Sequence, residues 1–112
     1  MLNLIGLGLD LKSISLEALE TVKESKIVYL EGYTIDFPYK IEELQKVFGS
    51  GIIILDRDQV EGLDFLKEAK RKKVSLLVYG SPLAATTHQA ILDECKKLKI
   101  NRLIKRRMKK LI

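Results

Sequence analysis

Two glycine-bearing segments hold the residues of this sequence best suited to chemistry. The first is Gly6-Leu7-Gly8-Leu9-Asp10, which follows an apolar run beginning at Leu2. Glycine has no Cβ, so its backbone turns sharply and lets a ligand come close. A G-x-G after a strand suits a dinucleotide phosphate, but that fingerprint asks for a third glycine at position 11, where leucine stands. Glu31, 23 residues after Gly8, could imitate the ribose-binding acid of such a fold. Spacing alone leaves nicotinamide binding, approach of another ligand and a purely structural tight turn all open.

The second segment is Val78-Tyr79-Gly80-Ser81-Pro82-Leu83-Ala84-Ala85-Thr86-Thr87-His88. Gly80 ends a strand, Pro82 stiffens the turn, and a helix follows whose first N–H groups have no intrahelical partner. Ala84 and Ala85 leave room for close packing, and Thr86 and Thr87 offer hydroxyls. A well-capped helix with no ligand is the plainer reading. His88 is the only histidine, and without acids or cysteines nearby in sequence it does not make a metal site. A structural or solvated imidazole is the expectation. The one cysteine, Cys95, excludes an internal disulfide and a cysteine metal cluster, and reads as a small apolar residue on a helix face.

These segments need a scaffold that gathers strand ends. Leu2 to Leu7, Ile27 to Leu30, Ile52 to Leu55 and Val74 to Tyr79 read as buried strands. Ser13 or Ser15 caps a helix carrying Glu17 in its first turn and Leu16, Leu19 and Val22 at helical spacing. A loop from Gly32 to Pro38 precedes a helix over Ile41 to Phe48, closed by Gly49. Leu63, Leu66 and Ala69 or Lys70 mark another, and the last spans about Ala84 to Leu98. Alternating strands and helices with short connections imply right-handed βαβ crossovers, hence an α/β fold with an open parallel sheet covered on both faces. Ligands of such sheets bind beyond the carboxyl ends of the strands. That rim is shared by Gly6 to Asp10, Glu31 to Thr34 and Gly80 to Leu83.

The chain has 112 residues, 46% hydrophobic and 31% charged, which suits one globular domain. Its apolar runs are too short to span a bilayer, and its start lacks the basic region of a signal peptide. A cytoplasmic location without membrane contact is expected. The net charge of +5 hides a division. Residues 1–95 hold all 15 acids against 11 basic residues, whereas the last 17 hold nine basic residues and no acid.

Taken in order, Met1 to Asp10, Ser15-Leu16-Glu17-Ala18-Leu19, Val28-Tyr29-Leu30-Glu31-Gly32-Tyr33-Thr34 and Pro82-Leu83-Ala84-Ala85-Thr86-Thr87-His88 resemble the diphthine synthases, a branch of the tetrapyrrole methylase superfamily. The resemblance covers residues 1 to about 99, the expected amino-terminal domain. It implies transfer of methyl groups from S-adenosylmethionine to a modified histidine of translation elongation factor 2, on the way to diphthamide. It also implies an archaeal or eukaryotic source and a cytoplasmic homodimer. Leu9, Ser81 and Ala84 would contact the cofactor, with Gly6, Gly8, Asp10, Glu31, Gly80, Pro82, Thr86, Thr87 and His88 as possible pocket residues. No catalytic residue or metal is implied. Where this chain has Ser81 the family usually has aspartate, whose charge-assisted hydrogen bonds a hydroxyl replaces only weakly.

Family members are more than twice this length. Residues 100–112 lose the resemblance and turn basic, which suggests a frameshift, a truncation or a split gene whose separate carboxyl-terminal half supplies the other cleft wall. Ile100, Leu103, Ile104, Met108 and Leu111 allow a basic amphipathic helix for RNA or another anionic partner. No aromatic residue is present there to stack on bases, so nucleic acid is not the expected partner. Ile100 to Ile104 also allow a short fifth strand. A non-catalytic remnant or interaction module is therefore the competing reading.

Overall fold

The computed structural model describes residues 1–9, 11–32, 40–49, 51–80 and 86–105, with the side chains of Thr86, Thr87 and Lys105 outside that description. Strands β1 (Leu2–Gly6), β2 (Ile27–Glu31), β3 (Ile53–Leu55), β4 (Val74–Val78) and β5 (Arg102–Lys105) form one parallel sheet in the order β3-β2-β4-β1-β5. All five residues of β1 and of β4 are buried. Central parallel strands face helices on both sides, which favours a near-continuous apolar run, here interrupted only by the buried Asn3 and Ser75.

Alternate side chains enter two cores. Leu2, Leu4, Tyr29, Val74, Leu76 and Val78 pack with residues of α3 (Arg57–Gly62), α4 (Leu66–Ala69) and α5 (Thr86–Leu98). Ile5, Val28, Leu30 and Leu77 pack with α1 (Leu16–Glu24) and α2 (Ile41–Phe48). The α/β class and the parallel sheet expected from the alternation are the observed ones. The Ser15 side chain accepts from the Ala18 N–H at 3.0 Å, and Gly49 closes α2 at φ 68°.

One local expectation needs correction, and one left open is decided. The helix expected from Leu63 onward is two pieces, and the first begins earlier. Asp56 and Gln59 form a reciprocal capping box, with 2.8 and 2.9 Å hydrogen bonds, that starts α3 at Arg57. Leu63 then takes a left-handed conformation at φ 63° and breaks the run before α4. Of the two conformations open to Ile100 to Ile104, the strand is the one adopted at Arg102–Lys105, where β5 pairs with β1. Ile100 itself is buried in the first core.

The strand order fixes where a ligand would sit. The chain leaves β1 through α1, across one face, toward β2 and β3; it leaves β4 through α5, across the other face, toward β5. Neighbouring strands whose connections depart in opposite directions make a topological switch point, where open α/β sheets take their ligands. Here it lies at the carboxyl tips of β1 and β4. Among the described residues no helix is long and apolar enough to cross a membrane.

Candidate functional site

Both glycine segments meet at that switch point. Leu7 N–H donates to the Val78 carbonyl at 2.8 Å, continuing the β1–β4 ladder past the last paired residues. The chains then turn and form an antiparallel bridge between Gly8 and Gly80. Gly8 N–H donates to the Gly80 carbonyl at 3.0 Å, and Gly80 N–H donates back at 2.9 Å. The two glycines have φ of 72° and 79°, a region that L-residues avoid. Glycine here is a requirement of the turn as well as of any close approach. Among the described residues, a Cβ at Gly80 would meet nothing within 4 Å.

Next to this corner, Leu9 is 62% exposed. The Tyr79 hydroxyl donates to its carbonyl at 2.7 Å, a second tie between the two loops. An apolar side chain held out from an anchored backbone offers a surface to a flat or aliphatic ligand group. The described residues here offer glycine backbone that a ligand could lie against and one exposed apolar side chain.

Glu31 and His88 sit at the same rim but inside the protein. Glu31 closes β2, His88 belongs to the first turn of α5, and they are only 1% and 3% exposed. His88 Nε2 lies 2.9 Å from Glu31 Oε2. The absence of acids near His88 in sequence is thus reversed in space. The pair was beyond sequence reasoning because 57 residues separate its members. The signal available was an acid at the end of an otherwise apolar strand. Among the described residues no group of three or more histidine, cysteine or acidic side chains could hold a metal.

The other expected site residues divide. Gly6 ends β1 and is buried. Thr86 and Thr87 open α5, by backbone only. Asp10, Tyr33, Thr34, Ser81, Pro82, Leu83, Ala84 and Ala85 lie outside the described residues. Two grooves among the described residues are elsewhere. One, at the amino ends of the strands, includes Val22, Ser25, Ile27, Phe48 and Ile53; the other runs between α5 and β5, along Leu92, Lys96 and Leu103. Neither of these two touches the glycine corner.

Known proteins supply an independent comparison. A profile of the tetrapyrrole (corrin/porphyrin) methylases matches residues 1–102. The diphthine methyl ester synthase of Schizosaccharomyces pombe is 43% identical over 103 residues, covering 89% of this chain and 36% of that protein. The diphthine synthase of Archaeoglobus fulgidus is 44% identical over 100 residues, covering 87% of this chain and 40% of its own. A crystal structure of diphthine synthase superposes with a TM-score of 0.89 at 39% identity, covering 97% of this chain and 45% of that one. The chain therefore spans less than half the length of these relatives. With residues 1–102 of 112 inside the family profile, the chain belongs to the tetrapyrrole (corrin/porphyrin) methylase family.

Proposed function

We propose that this chain forms one wall of an S-adenosylmethionine-dependent methyltransferase of the diphthine synthase type, acting on the modified histidine of elongation factor 2. The observation that carries the reading is the bridged Gly8–Gly80 corner at the switch point of a sheet that superposes on diphthine synthase. The cofactor, when bound, supplies a methyl group on a positively charged sulfur, already an electrophile, so the protein's part is to hold, orient and exclude water.

In this reading Leu9 gives the nucleoside an apolar contact. Gly8 and Gly80 keep the backbone low beneath it. Ser81 and Ala84 are the further cofactor contacts that the diphthine synthase resemblance implies, with Ser81 a weaker acceptor than a carboxylate. The second wall comes from a carboxyl-terminal portion corresponding to the remainder of the relatives. The same portion or a second copy of the chain is the expected protein partner.

Calorimetry with S-adenosylhomocysteine tests the reading, on the 112-residue chain alone and with the carboxyl-terminal part of the Archaeoglobus fulgidus relative. Binding that appears or tightens at least tenfold on addition of that part supports it. No methylation of elongation factor 2 is expected from the 112 residues alone. Salt-dependent RNA binding without any nucleoside response, in either mixture, would instead favour a basic interaction module.

A further inference from the structure

The helices α1, α2, α4 and α5, which lead into β2, β3, β4 and β5, all end at the amino rim of the sheet, opposite the glycine corner. Lysines in their last turns offset the negative ends of the helix dipoles, a sufficient reason for them. Other cations stand at or beyond the helix ends, where the dipole does not account for them. These are Lys26, Lys70, Arg71, Lys73, Lys99 and Arg102, all exposed.

Backbone bonds lace four strand ends into one row. Lys26 N–H donates to the Lys73 carbonyl, Val74 N–H to the Met1 carbonyl and Leu2 N–H to the Asn101 carbonyl, at 2.8, 2.9 and 2.8 Å. The Met1 ammonium group donates to the Ala69 and Lys72 carbonyls, which holds the connection bearing Lys70 and Arg71 beside β1. With strands about 4.8 Å apart, the row from β2 to β5 extends about 14 Å. Among the described residues, the acids of these helix ends and connections are Glu24 and Glu68. Each already meets a lysine, Lys73 at 3.8 Å and Lys72 at 3.1 Å. Lys26, Lys70, Arg71, Lys99 and Arg102 make no ion pair among those residues.

Lys99 stands directly after α5 at φ 57°, where the Ile100 N–H returns to the Cys95 carbonyl at 2.8 Å. Such a closing position favours glycine, because L-residues are strained in it. A lysine there places an exposed charge where glycine would be the more stable choice.

We propose that this row is a docking surface for the phosphate backbone of duplex RNA. A broad surface of one sign attracts a regular polyanion without a shaped pocket. An acidic protein partner favours an apolar centre, and a membrane an apolar insertion beside the charges. The row holds no large exposed apolar side chain, and no aromatic residue to stack on unpaired bases. Its length suits phosphates flanking the wide, shallow minor groove of A-form RNA better than the narrow minor groove of B-DNA. The surface belongs to the described body, not to the basic residues 106–112, and it does not depend on the methyltransferase reading.

Fluorescence anisotropy of the full chain with an RNA duplex of about 20 base pairs, from about 50 to 200 mM salt, tests it. Lys70→Gln, Arg71→Gln and Lys99→Gln together should weaken binding at least tenfold and flatten the log–log salt slope by about 2. Neutralising Arg106, Arg107, Lys109 and Lys110 should weaken it no more than about threefold, and Lys12→Gln with Lys40→Gln, at the opposite rim, should change nothing. Lys99→Gly alone should raise the melting temperature yet weaken binding, a combination that a purely structural lysine does not give. No binding of the duplex, loss through the 106–112 set with the row set unaffected, or parental affinity in Lys99→Gly overturns the proposal. So does equal or tighter binding of a DNA duplex, poly-glutamate or phosphatidylserine vesicles.

Discussion

Gly8 and Gly80 exchange both of their backbone hydrogen bonds, at 3.0 and 2.9 Å, across the tips of two strands that run parallel until that point. Parallel neighbours do not normally trade a reciprocal pair of bonds. The exchange is possible here because both residues leave the strand conformation, at φ 72° and 79°. The bridge brings segments 72 residues apart in sequence onto one corner.

Gly80→Ala bears on the conformational part of this arrangement, because an added Cβ meets no atom within 4 Å among the described residues. Left-handed backbone costs an L-residue about 1–2 kcal/mol, and reduced freedom of the unfolded chain returns roughly half a kcal/mol. A net loss of about 1 kcal/mol is expected in urea denaturation. Gly80→Asn should lose clearly less, since asparagine tolerates this region. Equal losses would show that φ is not what selects glycine.

How far the sequence discloses this corner depends on the range of the interactions. The apolar runs at Leu2 and Val74 and the glycines that end them are local signals, and they identify the strands and the rim. The α3 start was also local, written in Asp56 and Gln59, but its helix is short and carries one buried apolar residue, Val60, so periodicity missed it. Glu31–His88 is different. Nothing within a window of either residue specifies the other; only the β2–β4 neighbourhood and the path of α5 bring them together. The strand at Arg102–Lys105 was ambiguous because two adjacent apolar residues between basic ones do not distinguish the two periods over so few positions.

Gly32→Ala tests a close approach where the backbone is not at issue. Its Cβ would fall 2.5 Å from Ile54 Cγ2. That methyl sits on a β-branched side chain with few rotamers, though Ile54 is 49% exposed and can give way at some cost. A loss of about 1–2 kcal/mol is expected. In an Ile54→Ala background the same substitution should cost almost nothing, and a double-mutant cycle by urea denaturation measures the coupling. Identical costs in both backgrounds would rule out Ile54 as the constraint.

Cys95 gives an alkaline signature. Burial pushes its thiol up, opposed by the charges of Arg102 and the chain's amino group. The folded protein then keeps a proton that the unfolded chain releases, so unfolding sheds protons as the pH rises. The thiol's contribution is complete below the ordinary thiol range and declines above about pH 8.5. Melting temperature followed from pH 7 to 10 should fall more steeply for the parent than for Cys95→Ala. Tyr29, also raised by burial, acts in both proteins and cancels from the comparison. Parallel profiles would mean that the buried thiol carries no linkage.

Ser81→Asp tests the proposed cofactor contact at residue 81. A carboxylate accepts hydrogen bonds about twice as strong as those to a hydroxyl, and its charge favours a cationic sulfonium ligand. It would also stand a few residues before α5, where a helix amino terminus favours negative charge. Both effects act in one direction. Affinity for S-adenosylmethionine in the mixture with the carboxyl-terminal part should rise about tenfold, equivalent to roughly 1.4 kcal/mol. The gain for S-adenosylhomocysteine, whose thioether sulfur is neutral, should be smaller, because the attraction to sulfonium is lost while the hydrogen bonds remain. Equal gains would assign the whole effect to hydrogen bonding, and no gain with either ligand would remove Ser81 from the cofactor site.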